Sequence, residues 1–276
     1  MVINKILSIW QWSRVVRLFA WFALLTGVAS AQVDQNRPGE ASNVLPQYSS
    51  QKKEAYELTR VKERLPDALA RLKQGEFFPA DIHIIAVGGA VQAIPDLKKQ
   101  FDLSQDQSSK DSIASALVKL GDKDPTWWDY LTKEAADAIV SDAPSAAQFD
   151  SKGKFVPGPS PEFIAWAKAH NLKTDSALQA ATSEFPAKVL FLGESGDRRA
   201  IPLLRQALSS PNVMIQTFAV RELAQFQDKA SIPLIIGACQ QAPADAAYAI
   251  ASGLRLFDDP RAQGAAKEYA PLKDVK

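Results

Sequence analysis

Residues 197–208 read DRRAIPLLRQAL, and residues 228–239 repeat the same pattern as DKASIPLIIGAC. Shorter copies, with the proline in the same place, occur at residues 65–69 (LPDAL), 93–97 (AIPDL) and 160–164 (SPEFI). A proline is tolerated in the first turn of a helix, because the amide hydrogen that it lacks would have no partner there. The recurring motif therefore predicts that a helix begins at each of these prolines.

The motifs have a regular spacing along the chain. Their prolines lie at positions 66, 95, 161, 202 and 233, and Trp128 and Gly264 fill the places where the spacing puts two more units. We therefore predict seven approximate units with a period near 31 to 33 residues. They cover residue 65 to the C-terminus and belong to a repeat domain at residues 52–276.

Each proline is accompanied by apolar residues at fixed offsets. The positions one before, two after and six after the proline are almost all apolar, as at Ile201, Leu204 and Leu208. These offsets place the apolar side chains on one side of a helix. The motif therefore predicts an amphipathic helix that packs against other elements through this side.

A second amphipathic helix precedes each motif. Its apolar side is clearest at Ile215, Ala219, Leu223 and Phe226, and Asp228 follows in the turn. Aspartate suits such a turn, because its carboxylate can accept backbone N–H groups at the start of a helix. Each unit is thus a predicted helical hairpin that buries its apolar sides only against neighbouring hairpins. The predicted fold is an all-α α-solenoid.

The pattern Leu-x-x-x-Asp-x-x-Ala-Ile-Pro-x-Leu, found around residues 191–204 and 226–235, resembles the HEAT-like repeat of the phycobilisome-lyase type. The resemblance is good at residues 193–264, moderate at residues 65–131 and poor at residues 138–160. It implies a solenoid whose motif residues serve packing and turns, and a binding surface more often than catalysis. The lyases that give the type its name attach a bilin chromophore, so a lyase-like enzyme is the alternative that the resemblance implies.

The helical pattern fails at residues 141–160, which we predict to form an irregular insertion. Residues 150–153 (DSKG) are typical of a turn, such as that of a small β-hairpin. Structureless loops of more than about 12–15 residues are uncommon in compact domains and are often functional. Two interpretations stay open: the insertion binds a partner, or it is a solvated loop without a role.

Four aromatic residues in or beside this insertion are candidate partner contacts, namely Trp128, Phe149, Phe155 and Trp166. Trp128 takes the place of the proline at a predicted helix start, and Trp166 lies where other units carry small or polar residues. Tryptophan is enriched among the residues that dominate binding energy. The alternative for Trp166 is burial beneath the insertion.

The first 31 residues have the three parts of a secretory signal peptide in the expected order. A basic region precedes an apolar stretch at residues 18–28, and residues 29–31 (ASA) offer the small side chains that cleavage requires. Residues 1–31 therefore predict an exported bacterial protein, periplasmic or secreted; an uncleaved N-terminal anchor helix is the alternative. Residues 32–51 are polar and contain proline and glycine, which predicts a flexible lead-in.

Composition argues against several kinds of site. The 276 residues include 32 Lys and Arg against 31 Asp and Glu, a balance that disfavours general nucleic-acid binding. A single cysteine rules out an internal disulfide, and two histidines leave few nitrogen ligands for a metal. We expect Cys239 to be buried rather than reactive, His83 to pack, and His170 to lie near a helix end.

These patterns together predict an exported, non-catalytic scaffold or adaptor that binds a protein or peptide along a helical-repeat surface. They predict no catalytic residue, no cofactor, no metal site and no nucleic-acid partner. Contact with a membrane is expected only through an uncleaved signal segment. The alternative is a lyase-like or cell-envelope enzyme built on the same HEAT-repeat scaffold.

Overall fold

The computed structural model describes residues 50–141 and 143–271, with side chains from residue 59 onward. The predicted signal peptide at residues 1–31 lies outside the described residues, and so does all of the predicted lead-in except residues 50 and 51. Those two residues already belong to the first helix. In the described part of the chain, no helix is both long enough and apolar enough to cross a membrane.

Helices make up most of the described chain. They are α1 (Ser50–Gln74), α2 (Pro79–Val87), α3 (Ile94–Leu103), α4 (Gln107–Lys119), α5 (Pro125–Ile139), α6 (Pro161–Ala169), α7 (Thr174–Gln179), α8 (Phe185–Glu194), α9 (Ile201–Ala207), α10 (Val213–Gln225), α11 (Ile232–Gln241), α12 (Ala244–Ser252) and α13 (Pro260–Tyr269). The strands β1 (Ala147–Phe149) and β2 (Phe155–Pro159) lie between α5 and α6. A π turn at Ala180–Glu184 joins α7 and α8 into one continuous helix.

The helices pair into hairpins, and the hairpins stack. α1 packs against α2, α3 against α4, α5 against α8, α9 against α10 and α11 against α12, and α13 follows as a last helix. The second helices α2, α4, α8, α10 and α12 pack one on the next in an unbroken row. The described residues thus form an all-α helical-repeat solenoid, which confirms the predicted fold class.

The described solenoid has five stacked hairpins and a final helix, which is fewer than the predicted seven units. The first helices of the second and third hairpins begin at Ile94 and Pro125, which are 31 residues apart. The first helices of the fourth and fifth hairpins begin at Ile201 and Ile232, again 31 residues apart. Between these pairs lie residues 140–184, which we call the inserted segment. The motif at Pro161 does start a helix, but α6 belongs to the inserted segment and not to the stack. A proline start suits the N-terminus of any helix, so it does not by itself identify a repeat.

The motif prolines start helices with one exception. Pro95, Pro161, Pro202 and Pro233 all lie in the first turn of a helix, as predicted. Pro66 instead lies inside α1, where it leaves the carbonyl of Lys62 without its helical partner. Lys62 is exposed, so water can bind that carbonyl. Trp128 and Gly264 lie within α5 and α13, because prolines earlier in the sequence start these two helices.

The predicted apolar sides form the core. Fully buried residues include Leu97, Leu204 and Ile235 of the first helices and Ile215, Ala219 and Leu223 of the second helices. One large core cluster lies under the first two hairpins and another under the remaining ones, and Phe101 and Val118 pack against both. The burial of these positions confirms the predicted hairpin register.

Aspartates occupy the turns between units, but they do not all cap helices. Asp197 accepts the backbone N–H of Arg199 as predicted, and Asp259 caps α13 in the same way. Asp228 instead pairs with the guanidinium of Arg205 through two hydrogen bonds of 2.9 and 2.7 Å. Burial alone would raise the pKa of Asp228, but the hydrogen bonds from Arg205 and Ser231, together with the positive charges of Arg205 and Arg198, outweigh it and lower the pKa. This aspartate therefore ties its turn to α9, the first helix of the fourth hairpin.

Candidate partner-binding surface

The inserted segment is larger than the insertion that the sequence predicts at residues 141–160, and it has a small core of its own. That core consists of the buried residues Ala143, Ala146, Phe163, Ala167, Ala177 and Ala181. Its alanines let α6 approach α7 and the π turn closely. The inserted segment is therefore a folded part of the protein and not a structureless loop.

The turn predicted at residues 150–153 joins the two strands of a β-hairpin, which confirms the prediction. The Asp150 carboxylate holds this turn, because it accepts the backbone N–H groups of Lys152 at 2.8 Å and Lys154 at 2.9 Å. Gly153 has a φ of +73°, a conformation that glycine adopts without steric cost. The residue types at positions 150–153, which form the tip of the hairpin, therefore suffice to predict its local shape.

The two candidate phenylalanines of the hairpin lie together. Phe149 pairs with Phe155 across the strands, and their ring centroids are 6.2 Å apart in an edge-to-face arrangement. Phe155 is 53% exposed, whereas Phe149 is half-buried. An exposed ring that is supported by a second ring offers a partner rigid apolar surface.

Exposed apolar side chains are concentrated in the inserted segment. Of the ten large apolar residues that are strongly exposed in the described chain, four belong to it: Val140, Phe155, Ile164 and Leu172. The segment is only a small part of the described chain, so this share is high. A local excess of exposed apolar area is typical of interaction sites.

Trp166 lies in the core of the inserted segment. It is half-buried, and its ring centroid lies 5.7 Å from that of Phe163 and 4.8 Å from that of His170. His170 ends α6, as predicted. These contacts favour the interpretation in which Trp166 supports the fold of the segment, and they leave little of its ring for a partner.

Trp128 lies apart from the other three candidates. It packs against the larger of the two core clusters, and the guanidinium carbon of Arg199 lies 4.3 Å from the centroid of its ring. The inserted segment leaves α5 at the opposite end, after Ile139. At about 1.5 Å of rise per residue, roughly 16 Å of helix separates the two positions. The structure therefore groups Phe149, Phe155 and Trp166 in one segment and places Trp128 elsewhere.

A small cleft between α2, α4 and α8, lined by both polar and apolar residues, was not identified from the sequence. Ser112 and Ser115 line it, and at its rim Lys119 Nζ donates to the main-chain oxygen of Glu194 at 3.1 Å. His83 Nδ1 lies 3.5 Å from the carboxylate of Glu194. His83 is exposed, contrary to the packing role predicted for it, because neighbouring isoleucines take the buried side of α2. The rim groups thus contact one another across the cleft.

A polar network joins α4, α5 and α8. Tyr130 donates its hydroxyl hydrogen to Asp111 Oδ1 at 2.7 Å, and Gln107 Nε2 donates to the same oxygen at 3.1 Å. Lys188 Nζ lies 2.5 Å from the carboxylate of Glu134. Burial raises the pKa of Asp111, and burial together with Asp111 raises the pKa of Tyr130. Because these groups bond to one another, the network serves to hold the three helices together.

Glu222 of α10 is a completely buried carboxyl group. Among the described residues, its Oε2 is the buried side-chain atom that has no hydrogen-bond partner. Burial raises the pKa of Glu222 to about 8, and the charge of Glu194 adds to the shift. Gly193 of α8 packs directly on this carboxyl, since a Cβ there would lie 2.7 Å from Oε2. The contact is closed, so the carboxyl can hold a proton but not a larger ligand.

The remaining candidate nucleophile is inaccessible. Cys239 is buried as predicted, and burial raises the pKa of its thiol to about 11. A thiol of this kind is a poor nucleophile near neutral pH. In the part of the chain that the structure describes, no group of three or more His, Cys, Asp and Glu residues is placed to hold a metal ion.

A family model for HEAT repeats matches residues 187–262. The match runs from α8 into α13 and contains both full copies of the proline motif. No curated protein and no solved structure matches the chain. HEAT repeats commonly serve as scaffolds for protein interaction. The match therefore shows that residues 187–262 are similar to HEAT repeats, and the stacked hairpins continue the same helical architecture through the rest of the described chain.

Proposed function

We propose that the protein is an exported, non-catalytic scaffold or adaptor that binds a protein or peptide partner through the inserted segment and the adjoining repeat surface. The observation that carries this proposal is the excess of exposed apolar side chains in the inserted segment. The repeat hairpins cover their core-facing sides by stacking, and the other six strongly exposed apolar residues are distributed over this much longer part of the described chain. Solenoids bind through extended surfaces on which insertions collect, and this supports a partner at the same place.

Phe155 is the residue expected to dominate partner binding. Its side chain is 53% exposed, and Phe149 supports it from behind. Truncation of such an aromatic contact costs about 2 kcal/mol or more, or roughly thirtyfold in affinity. Phe155→Ala should therefore lose the partner that the wild-type protein retains after crosslinking in an extract of the native cell envelope.

Phe78→Ala is the matched control for this experiment. Phe78 is 64% exposed but lies at the start of α2, outside the inserted segment. It should retain the partner, and both variants should keep the wild-type melting temperature. Equal recovery by both variants, or equal loss in both, would place the binding surface elsewhere. Trp166→Ala is less suitable, because it removes core contacts of the inserted segment.

Export is the second part of the proposal and is tested separately. Signal peptidase is expected to cleave after the ASA sequence at residues 29–31, because its pocket admits small side chains. N-terminal sequencing of protein from the native host should then begin at Gln32. An Ala31→Arg variant should block cleavage and keep the full N-terminus. A wild-type chain that retains Met1 would instead favour the uncleaved anchor.

The alternative function is a lyase-like or cell-envelope enzyme on the same scaffold. The burial of Cys239 and the closed contact around Glu222 argue against these two groups as catalysts. The phycobilisome-lyase type belongs to this alternative, and the proposed export disfavours it because chromophore attachment is expected in the cytoplasm. No nucleic acid, metal or cofactor is part of the proposal.

A further inference from the structure

The tip of the β-hairpin contacts a repeat unit that lies far along the chain. The main-chain oxygen of Gly153 accepts the backbone N–H of Asp245 at 2.9 Å. Gly153 belongs to the inserted segment of the third hairpin, whereas Asp245 lies in the first turn of α12, in the fifth hairpin. The contact therefore passes over the whole fourth hairpin.

The side chain of Asp245 makes this contact reciprocal. Its Oδ2 accepts the backbone N–H of Phe155 at 2.8 Å, and its Oδ1 lies 2.8 Å from Nζ of Lys154. A carboxylate near the N-terminus of a helix is also favoured by the helix dipole. One residue of α12 thus holds three groups of the hairpin tip, through both its main chain and its side chain.

Gly153 is required for this close approach. A Cβ on Gly153 would overlap the backbone nitrogen of Ala244, and the positive φ of Gly153 already disfavours other residues. Gly158, in the same hairpin, also has a positive φ, of +106°, but a Cβ there would meet nothing within 4 Å. The requirement for glycine at position 153 therefore arises partly from the contact with α12.

The inserted segment also contacts the fourth hairpin, which lies between the third and the fifth. Asn212 Nδ2 donates to the main-chain oxygen of Ala181 at 2.6 Å, and its Oδ1 caps α10 through Met214. Asn212 lies in the turn between the two helices of the fourth hairpin. The inserted segment takes the place of the turn between the two helices of the third hairpin. The tip of the β-hairpin reaches the turn between the two helices of the fifth hairpin. The inserted segment thus runs along one edge of the solenoid and touches each successive unit.

We propose that the inserted segment fixes the position of the third hairpin relative to the fifth, and we call it the clasp. The hydrogen bonds and the ion pair that Asp245 makes with residues 153–155 are its latch. Stacked repeats contact only their neighbours, so the curvature of a solenoid is set by a series of adjacent interfaces. A bond that skips a unit adds a constraint that stacking does not supply. Opening the latch frees the edge of the fourth hairpin and lets the third and fifth units move relative to each other.

Hydrogen exchange on the full chain tests the latch directly. The amides of Phe155 and Asp245 are donors in it, so both should be protected in the wild-type protein. Gly153→Val and Asp245→Ala should increase exchange at both sites, by tenfold or more. Gly158→Val is the matched control, because it strains the same hairpin without touching α12. It should leave the amide of Asp245 as protected as in the wild type.

A distance measurement tests the consequence for the solenoid. Cysteines introduced at the exposed residues Asp137 and Leu256 place spin labels on the third hairpin and on the turn that directly follows the fifth, and the buried Cys239 should not react. The distance distribution between the labels should be narrow with an intact latch and broad in Gly153→Val. Exchange that rises only within the hairpin, or a distribution that Gly153→Val leaves unchanged, would overturn the proposal.

Discussion

Leu223→Asp is expected to be severely destabilising. Leu223 is 0% exposed in the last turn of α10, where it belongs to the larger of the two core clusters. The change removes apolar contacts and places a carboxylate without a partner in the same space, so it should lower the free energy of unfolding by about 4 kcal/mol or more. Urea denaturation followed by circular dichroism measures the loss. Ile201→Asp, at the start of α9, should act in the same direction.

The same substitution at an exposed leucine is the control. Leu234 is 51% exposed in the first turn of α11, where an aspartate also suits the helix dipole. Leu234→Asp should therefore change the free energy of unfolding by less than about 0.5 kcal/mol. If Leu223→Asp melts like the wild type, or if Leu234→Asp unfolds as easily as Leu223→Asp, the assignment of buried and exposed sides is incorrect.

The stacked part of the fold could be predicted from the sequence because its determinants are local. Helix starts at Pro95, Pro202 and Pro233 and buried positions such as Leu204 and Ile215 follow from proline chemistry and helical periodicity. The number of units could not be predicted in the same way. The proline at the start of α6 gives the same local signal as the others, and only tertiary packing shows that this helix lies outside the stack.

The candidate site was predicted less completely, since its contacts join distant parts of the chain. The hairpin turn at residues 150–153 is a local feature and could be identified from its residue types. The bonds from Lys154 and Phe155 to Asp245 connect positions about ninety residues apart, and no periodic pattern indicates them. Proximity in sequence groups Trp128 with the insertion, whereas in the structure it lies near the start of α5 and the inserted segment follows the other end of that helix.

The clasp and the proposed binding surface occupy the same hairpin but use different parts of it. The latch engages the main chain of Phe155, whereas the partner is expected to contact its side chain. Phe155→Ala should therefore leave the amide of Asp245 protected, even if partner binding is lost. A partner that contacts the exposed ring would bind a segment whose position is already fixed by the latch. Less conformational entropy is then lost on binding.

The stability of the protein is expected to fall as the pH rises from about 5 to 8, chiefly because of Glu222. Its pKa is about 8 in the fold, well above the value of 4.5 for an unburied glutamate. Between these values the folded protein keeps a proton that the unfolded chain releases, so raising the pH favours unfolding. The stabilisation is fully present below pH 4.5 and is lost as the pH passes 8, a change on the order of 5 kcal/mol.

Glu222→Gln isolates this effect, because it keeps the shape of the side chain and removes its titration. Its free energy of unfolding, measured in urea at each pH, should vary much less between pH 5 and 8 than that of the wild type. The raised pKa of Asp111 acts in the same direction in both proteins, so the difference between them belongs to Glu222. Glu162→Gln, at an exposed position in α6, should keep the full wild-type slope. A Glu222→Gln variant with that same slope would show that Glu222 titrates normally in the folded protein, through contact with Arg221 at 3.8 Å or with water.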